Sequence, residues 1–87
     1  MRHRLSNGKR WHVERKKILG LCDYESRLLT ITPKLKRRKL IDVTIHEVLH
    51  AELPKMREKK IERVATSCAR LVFRVLKREG LLRRKHK

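Results

Sequence analysis

The sequence predicts a small α+β domain, in which a short antiparallel β-hairpin or sheet is followed by two packed helices. Three observations predict it. Apolar residues follow a strand-like period before Pro33 and a helical period after it, Pro54 and Gly80 punctuate the helical half, and 87 residues support a single core. The whole chain, 1–87, is therefore expected to form one domain, with flexible basic termini at 1–9 and 81–87.

Ser6-Asn7-Gly8-Lys9 is a turn signal after a charged start. Trp11 to Glu14 alternate apolar with polar, which predicts a short strand. Ile18 to Cys22 (ILGLC) are apolar with a glycine among them, typical of a strand with a bulge or a close backbone approach. Asp23 to Ser26 supply turn chemistry, and Arg27 to Thr32 (RLLTIT) form a second β-branched run with Leu29 and Ile31 on one face. Two such runs across a polar turn predict an antiparallel hairpin.

Pro33 cannot sit in a central ladder, so the strand pattern ends there. Lys34 to Lys39 (KLKRRK) form a basic connector or first helical turn. From Leu40 to about Leu53 the period is helical, and Pro54 stops it. A second helix is predicted from Lys55 or Arg57 to Glu79, with Gly80 as its C-terminal cap. Its apolar stripe comprises Ile61, Val64, Ala65, Cys68, Leu71, Val72, Val75 and Leu76.

Charge narrows the partners. The chain carries 26 Lys and Arg against 9 Asp and Glu, a net +17, with +9 on residues 1–44 and +8 on 45–87. No single tail accounts for this, so the folded body is cationic, and self-repulsion opposes compaction unless a polyanion screens it. Nucleic acid, held through its phosphates, is the expected partner, with Lys34, Lys36, Arg37, Arg38 and Lys39 as candidate contacts. Three aromatic residues (Trp11, Tyr24, Phe73) provide no platform for stacking bases. Cys22 and Cys68 are too few for a disulfide framework, and no Cys-x-x-Cys pair suggests a thiolate metal site. With neither a secretory pattern nor a membrane-spanning apolar run, the expected location is the cytoplasm, or a host cytoplasm or virion if the chain is phage-encoded.

The stretch Ile45 to Leu53, IHEVLHAEL, carries the chemistry. On a helix His46 and His50 differ by about 40°, so their rings converge, and Glu47 lies about 60° beyond His50. This is the physical content of His-Glu-x-x-His: two imidazole nitrogens bind Zn²⁺ and the glutamate deprotonates a metal-bound water. Shuffling this composition yields only about 0.02 such pentads per chain, so the motif outweighs the alternative of two ordinary surface histidines. A catalytic zinc takes three protein ligands. On the second helix Glu58 and Glu62 both fall within the apolar arc. Glu58 is also explained by the helix dipole, so Glu62 is the preferred third ligand and Glu58 the alternative. Tyr24, in the hairpin turn before the first helix, could reach the site and steady a developing oxyanion, but an ordinary turn tyrosine is the better explanation.

The hairpin followed by LIDVTIHEVLHAELP resembles the zincin metallopeptidase core, and is especially similar to small HExxH proteins of phages and to the SprT-like and minigluzincin groups. The similarity covers about Gly20 to Leu76. It implies His46 and His50 as ligands, Glu47 as general base, LLTIT as the strand lining the cleft, and peptide-bond hydrolysis as the activity. In glutamate-type members the third ligand comes from the next helix, which matches Glu62. The chain departs from SprT-like proteins in having no histidine between His50 and His86 and no cysteine-rich zinc module. It departs from metzincins in that AELPKM follows the pentad. The function expected is zinc-dependent peptide hydrolysis near nucleic acid. The alternative is a non-catalytic, basic nucleic-acid-binding or virion-associated protein with a structural or vestigial zinc.

Overall fold

The computed structural model describes residues 1–15, 21–31 and 35–81. Four strands, β1 (Arg2–Arg4), β2 (Arg10–Arg15), β3 (Leu21–Asp23) and β4 (Leu28–Ile31), precede two helices, α1 (Arg37–Glu52) and α2 (Glu58–Arg78). The strands form one sheet in the order β1-β2-β4-β3. The β1–β2 and β3–β4 pairs are antiparallel, whereas β2 and β4 run parallel, with Val13 opposite Leu29. The expected α+β arrangement, a small sheet followed by two packed helices, is what the chain forms.

Two differences matter. The charged start, expected to be flexible, contains β1, and Leu5 just after it is buried. The reason is the Ser6–Lys9 turn. The Leu5 N–H donates to the Lys9 carbonyl at 2.9 Å, Gly8 adopts φ 87°, and the turn folds β1 back onto β2. The strand expected to line the cleft, β4, is internal. Among the described residues the edge strand on that side is β3, which shares the face of α1 with β4. The expected strand residues Ile18 to Gly20, together with Thr32 to Lys34 and the tail from Leu82, lie outside the described residues.

Alternation along the strands sends one set of side chains to the helices. Trp11, Leu29 and Leu5 pack with Ala51 of α1, joined by Val13, Cys22 and Val48. The turn is also fastened to α1 directly: the Ser6 N–H donates to Glu52 Oε2 at 2.9 Å, and the Ser6 hydroxyl donates to Glu52 Oε1. Together these contacts fix α1 over the sheet.

The helices pack as an antiparallel pair joined by residues 53–57. Ile61, Ala65 and Ala69 form the buried row of α2, one every four residues, and the two alanines allow close approach. Thr66 donates to Asp42 at 3.4 Å, and the Arg38 guanidinium lies 6.0 Å from the centroid of the Phe73 ring. The predicted cap is present. Gly80 has φ 74°, its N–H reaches the Lys77 carbonyl, and the Leu81 N–H reaches the Leu76 carbonyl. These are the two bonds of a Schellman motif.

Candidate metal centre

Two histidines one helical turn apart share a face of α1 and sit in its last turns, where the helix end has to be held. Helix α1 ends because Pro54 lacks an N–H. Its last regular bond is from the Leu53 N–H to the Leu49 carbonyl, 2.8 Å. The next acceptor in that ladder is the carbonyl of His50, whose helical donor would have been residue 54. Tyr24 takes that place: its hydroxyl donates to the His50 carbonyl at 2.6 Å. The Tyr24 ring stands edge-on to buried Trp11, with centroids 5.9 Å apart. The Asp23 carboxylate, accepting from the N–H groups of Glu25 and Ser26, holds the turn that carries Tyr24. The Ser26 side chain, together with those N–H groups, keeps the Asp23 carboxyl below its usual range.

Three ligand-type side chains meet beside this anchored turn. His46 Nε2 and His50 Nε2 are 3.2 Å apart. Glu58 Oε2 lies 3.1 Å from His46 Nε2, and Glu58 Oε1 lies 2.7 Å from His50 Nε2. Protons alone satisfy this triangle poorly. If both nitrogens donate to Glu58, two N–H groups confront each other, and if one accepts, it meets the carboxylate with a lone pair. A cation at the centre satisfies all three. The spacing also suits zinc, because metal–nitrogen bonds of about 2.0–2.1 Å at tetrahedral angles separate neighbouring ligand atoms by about 3.3 Å. Among the described residues, the group of histidine, cysteine and acidic side chains that converges closely enough to hold an ion is His46, His50 and Glu58.

Glu58 stands beside the histidines where Glu62 was preferred, and Glu62 is an exposed residue one turn farther along α2. A helical wheel gives rotation, and by rotation both glutamates qualify. It does not give the axial register. The short 53–57 connection brings the first turn of α2 level with the last turn of α1, so the carboxylate in that first turn meets the histidine pair.

Glu47, the expected general base, is 6% exposed on α1. Burial holds its carboxyl above the ordinary range; His50 draws it down and Glu58 pushes it up. Cys22 lies nearby on β3, its thiol pushed up to about 11, chiefly by burial, with Glu47 and Asp23 adding to the rise and Tyr24 opposing it. Burial likewise raises the Tyr24 hydroxyl, and Cys22 and Glu47 raise it further.

Of the expected nucleic-acid contacts, Lys36, Arg37, Arg38 and Lys39 are exposed at the start of α1, and Lys34 lies outside the described residues. No acidic side chain occupies the first turn of that helix. No helix among the described residues is long and apolar enough to cross a membrane.

Comparison of the chain with protein-family models, curated proteins and solved structures gave no match.

Proposed function

We propose that the protein is a zinc-dependent, zincin-like metallopeptidase acting close to nucleic acid. The observation that carries this reading is the convergence of His46, His50 and Glu58 beside a buried glutamate in a His-Glu-x-x-His sequence. In it, His46 and His50 would hold zinc through Nε2 and Glu58 through its carboxylate. Zinc held there would supply Lewis-acid chemistry that polarises a carbonyl and acidifies water. Glu47 accepts a proton from the attacking water and passes it to the leaving amine nitrogen; the raised affinity of its carboxyl for protons suits both halves of that transfer. Among the described residues β3 is an edge strand in contact with α1, where an extended peptide could pair with it. The net charge of +17 favours substrates that are themselves bound to nucleic acid.

The test is elemental analysis followed by peptide hydrolysis. One zinc per chain is expected, lost in His46→Ala and in Glu58→Ala but retained in Glu62→Ala. Glu47→Gln is expected to keep the metal and lose hydrolysis. If the purified protein binds no zinc, the reading fails. If the protein binds zinc but the wild type hydrolyses no peptide, the metal is structural and the non-catalytic alternative stands; if Glu47→Gln hydrolyses as well as the wild type, Glu47 is not the base.

A further inference from the structure

We infer that the outer face of the β1–β2 hairpin is a binding site for the phosphodiester backbone of nucleic acid, formed by Arg2, Arg4 and Arg10. This names where the expected polyanion sits, and it rests on the charge reading and not on the metal centre. The hairpin was not among the candidates suggested by sequence, which fell on residues 34–39.

The register of the sheet carries the inference. Arg4 lies directly opposite Arg10, and Arg2 directly opposite His12. Residues paired across strands share a face, so Arg2, Arg4, Arg10 and His12 project together. Trp11, on the alternate phase of β2, is buried in the core. Like charges directly opposite each other destabilise a strand pair. Anions offset such a pairing, and among the described residues Arg2, Arg4 and Arg10 have no carboxylate within salt-bridge distance. Glu14, which follows His12 on the same face at the Arg2 end of the ladder, lies 3.5 Å from His12, so the Arg4–Arg10 pair is left without an acidic neighbour. The arginines instead border a concavity of about 410 Å³ lined by Arg2, His3, Arg4 and Arg10.

The geometry suits a repeating anion. Arg2 and Arg4 are two residues apart on one strand, about 6.7 Å, which is comparable to the step between successive phosphates of one nucleic-acid strand. Arg10 extends the array onto β2. Guanidinium groups bind phosphate in two-pronged fashion. The array is also held in place before any ligand arrives, because the Ser6–Lys9 turn closes the hairpin and Glu52 fastens that turn to α1. No exposed aromatic side chain belongs to the patch, so it contacts the backbone and reads little sequence. β1 and β3 are opposite edges of the sheet. A strand lying on the hairpin would leave the β3 edge, and the histidine cluster beside it, open.

The test compares two charge-matched variants of the full chain, both reducing the net charge from +17 to +14. One is Arg2→Gln/Arg4→Gln/Arg10→Gln. The other is Arg70→Gln/Arg74→Gln/Arg78→Gln, at exposed positions on α2. Binding to a random-sequence DNA duplex is followed by fluorescence anisotropy over a range of NaCl concentrations. The hairpin variant is expected to flatten the slope of log K against log salt by about 2 to 3, since each lost phosphate contact removes roughly 0.9. The α2 variant should change the slope by less than 1. At low salt the hairpin variant should also melt no lower than the wild type, because repulsion has been relieved. Equal losses in the two variants would mean that only net charge matters and would overturn the proposal. So would a wild type that does not bind the duplex, or a hairpin variant that melts well below it. Zinc content and hydrolysis are unaffected by any of these outcomes, so failure here is separable from failure of the metallopeptidase reading.

Discussion

Replacing Tyr24 by phenylalanine removes one oxygen, which links the β3–β4 turn to the histidine-bearing helix and also meets the Cys22 thiol. The ring can keep its edge-on packing against Trp11, while the 2.6 Å bond to the His50 carbonyl is lost. No backbone donor replaces it, because the residue four positions on is Pro54. A hydrogen bond of this kind contributes about 1 kcal/mol net. For a domain of this size, losing about 1 kcal/mol lowers Tm by roughly 4–8 °C. If that bond also holds His50 in register with His46 and Glu58, the same 1 kcal/mol appears as an approximately fivefold weaker zinc Kd. The assays are thermal unfolding of the metal-free protein and competition for zinc against a chromophoric chelator. A variant that melts lower but binds zinc with unchanged affinity would refute the positioning argument and leave Tyr24 as a fold contact alone. A variant unchanged in both would mean that the carbonyl is satisfied without Tyr24.

Three further outcomes are expected. The Glu52 carboxyl is held below its ordinary value of 4.5 by the hydrogen bonds from Ser6. A depressed carboxyl stabilises the fold above its unfolded pKa and stops doing so as pH falls through its folded pKa. Glu52→Gln should therefore melt below the wild type at pH 7, and the gap should close as pH drops below about 4. Cys22, half-buried and pushed up to about 11, should resist iodoacetamide at pH 8, whereas exposed Cys68 should be carbamidomethylated; peptide mapping of the folded protein reads both. Trp11→Ala should remove about 3–5 kcal/mol, seen as loss of cooperative unfolding, because Trp11 is 4% exposed at the centre of the cluster formed by Leu5, Leu29 and Ala51.

The parts of the fold legible in the sequence were those governed by local chemistry. Gly80 was identifiable as a cap because its position needs a left-handed backbone, and Pro54 as a stop because it has no N–H to donate. The histidine pair was legible for a similar reason, since a spacing of four places two rings on one face of any helix. Long-range placement was not. Nothing in the run Arg2-His3-Arg4 announces a strand, because its apolar share is nil; it becomes one only when Leu5 finds the core and the turn folds back. The parallel pairing of β2 with β4 likewise depends on β3 lying outside β4, which the alternation of residues within each strand does not encode.

The choice between Glu58 and Glu62 marks that boundary most sharply, and the same sequence held a clue that resolves part of it. Both residues lie on the row of α2 that continues to Thr66, and Thr66 meets Asp42, which shares its row on α1 with His46 and His50. Two antiparallel rows are therefore in contact, and the remaining unknown is how far one slides along the other. The link from Leu53 to Arg57 is five residues long and contains a proline, so it allows little slide. Glu58, which was discounted because a helix dipole could explain it, satisfies both demands at once. Its carboxylate lies in the first turn, where the dipole favours negative charge, and that turn is the one level with His50. A residue's having one sufficient explanation does not lower its chance of having a second.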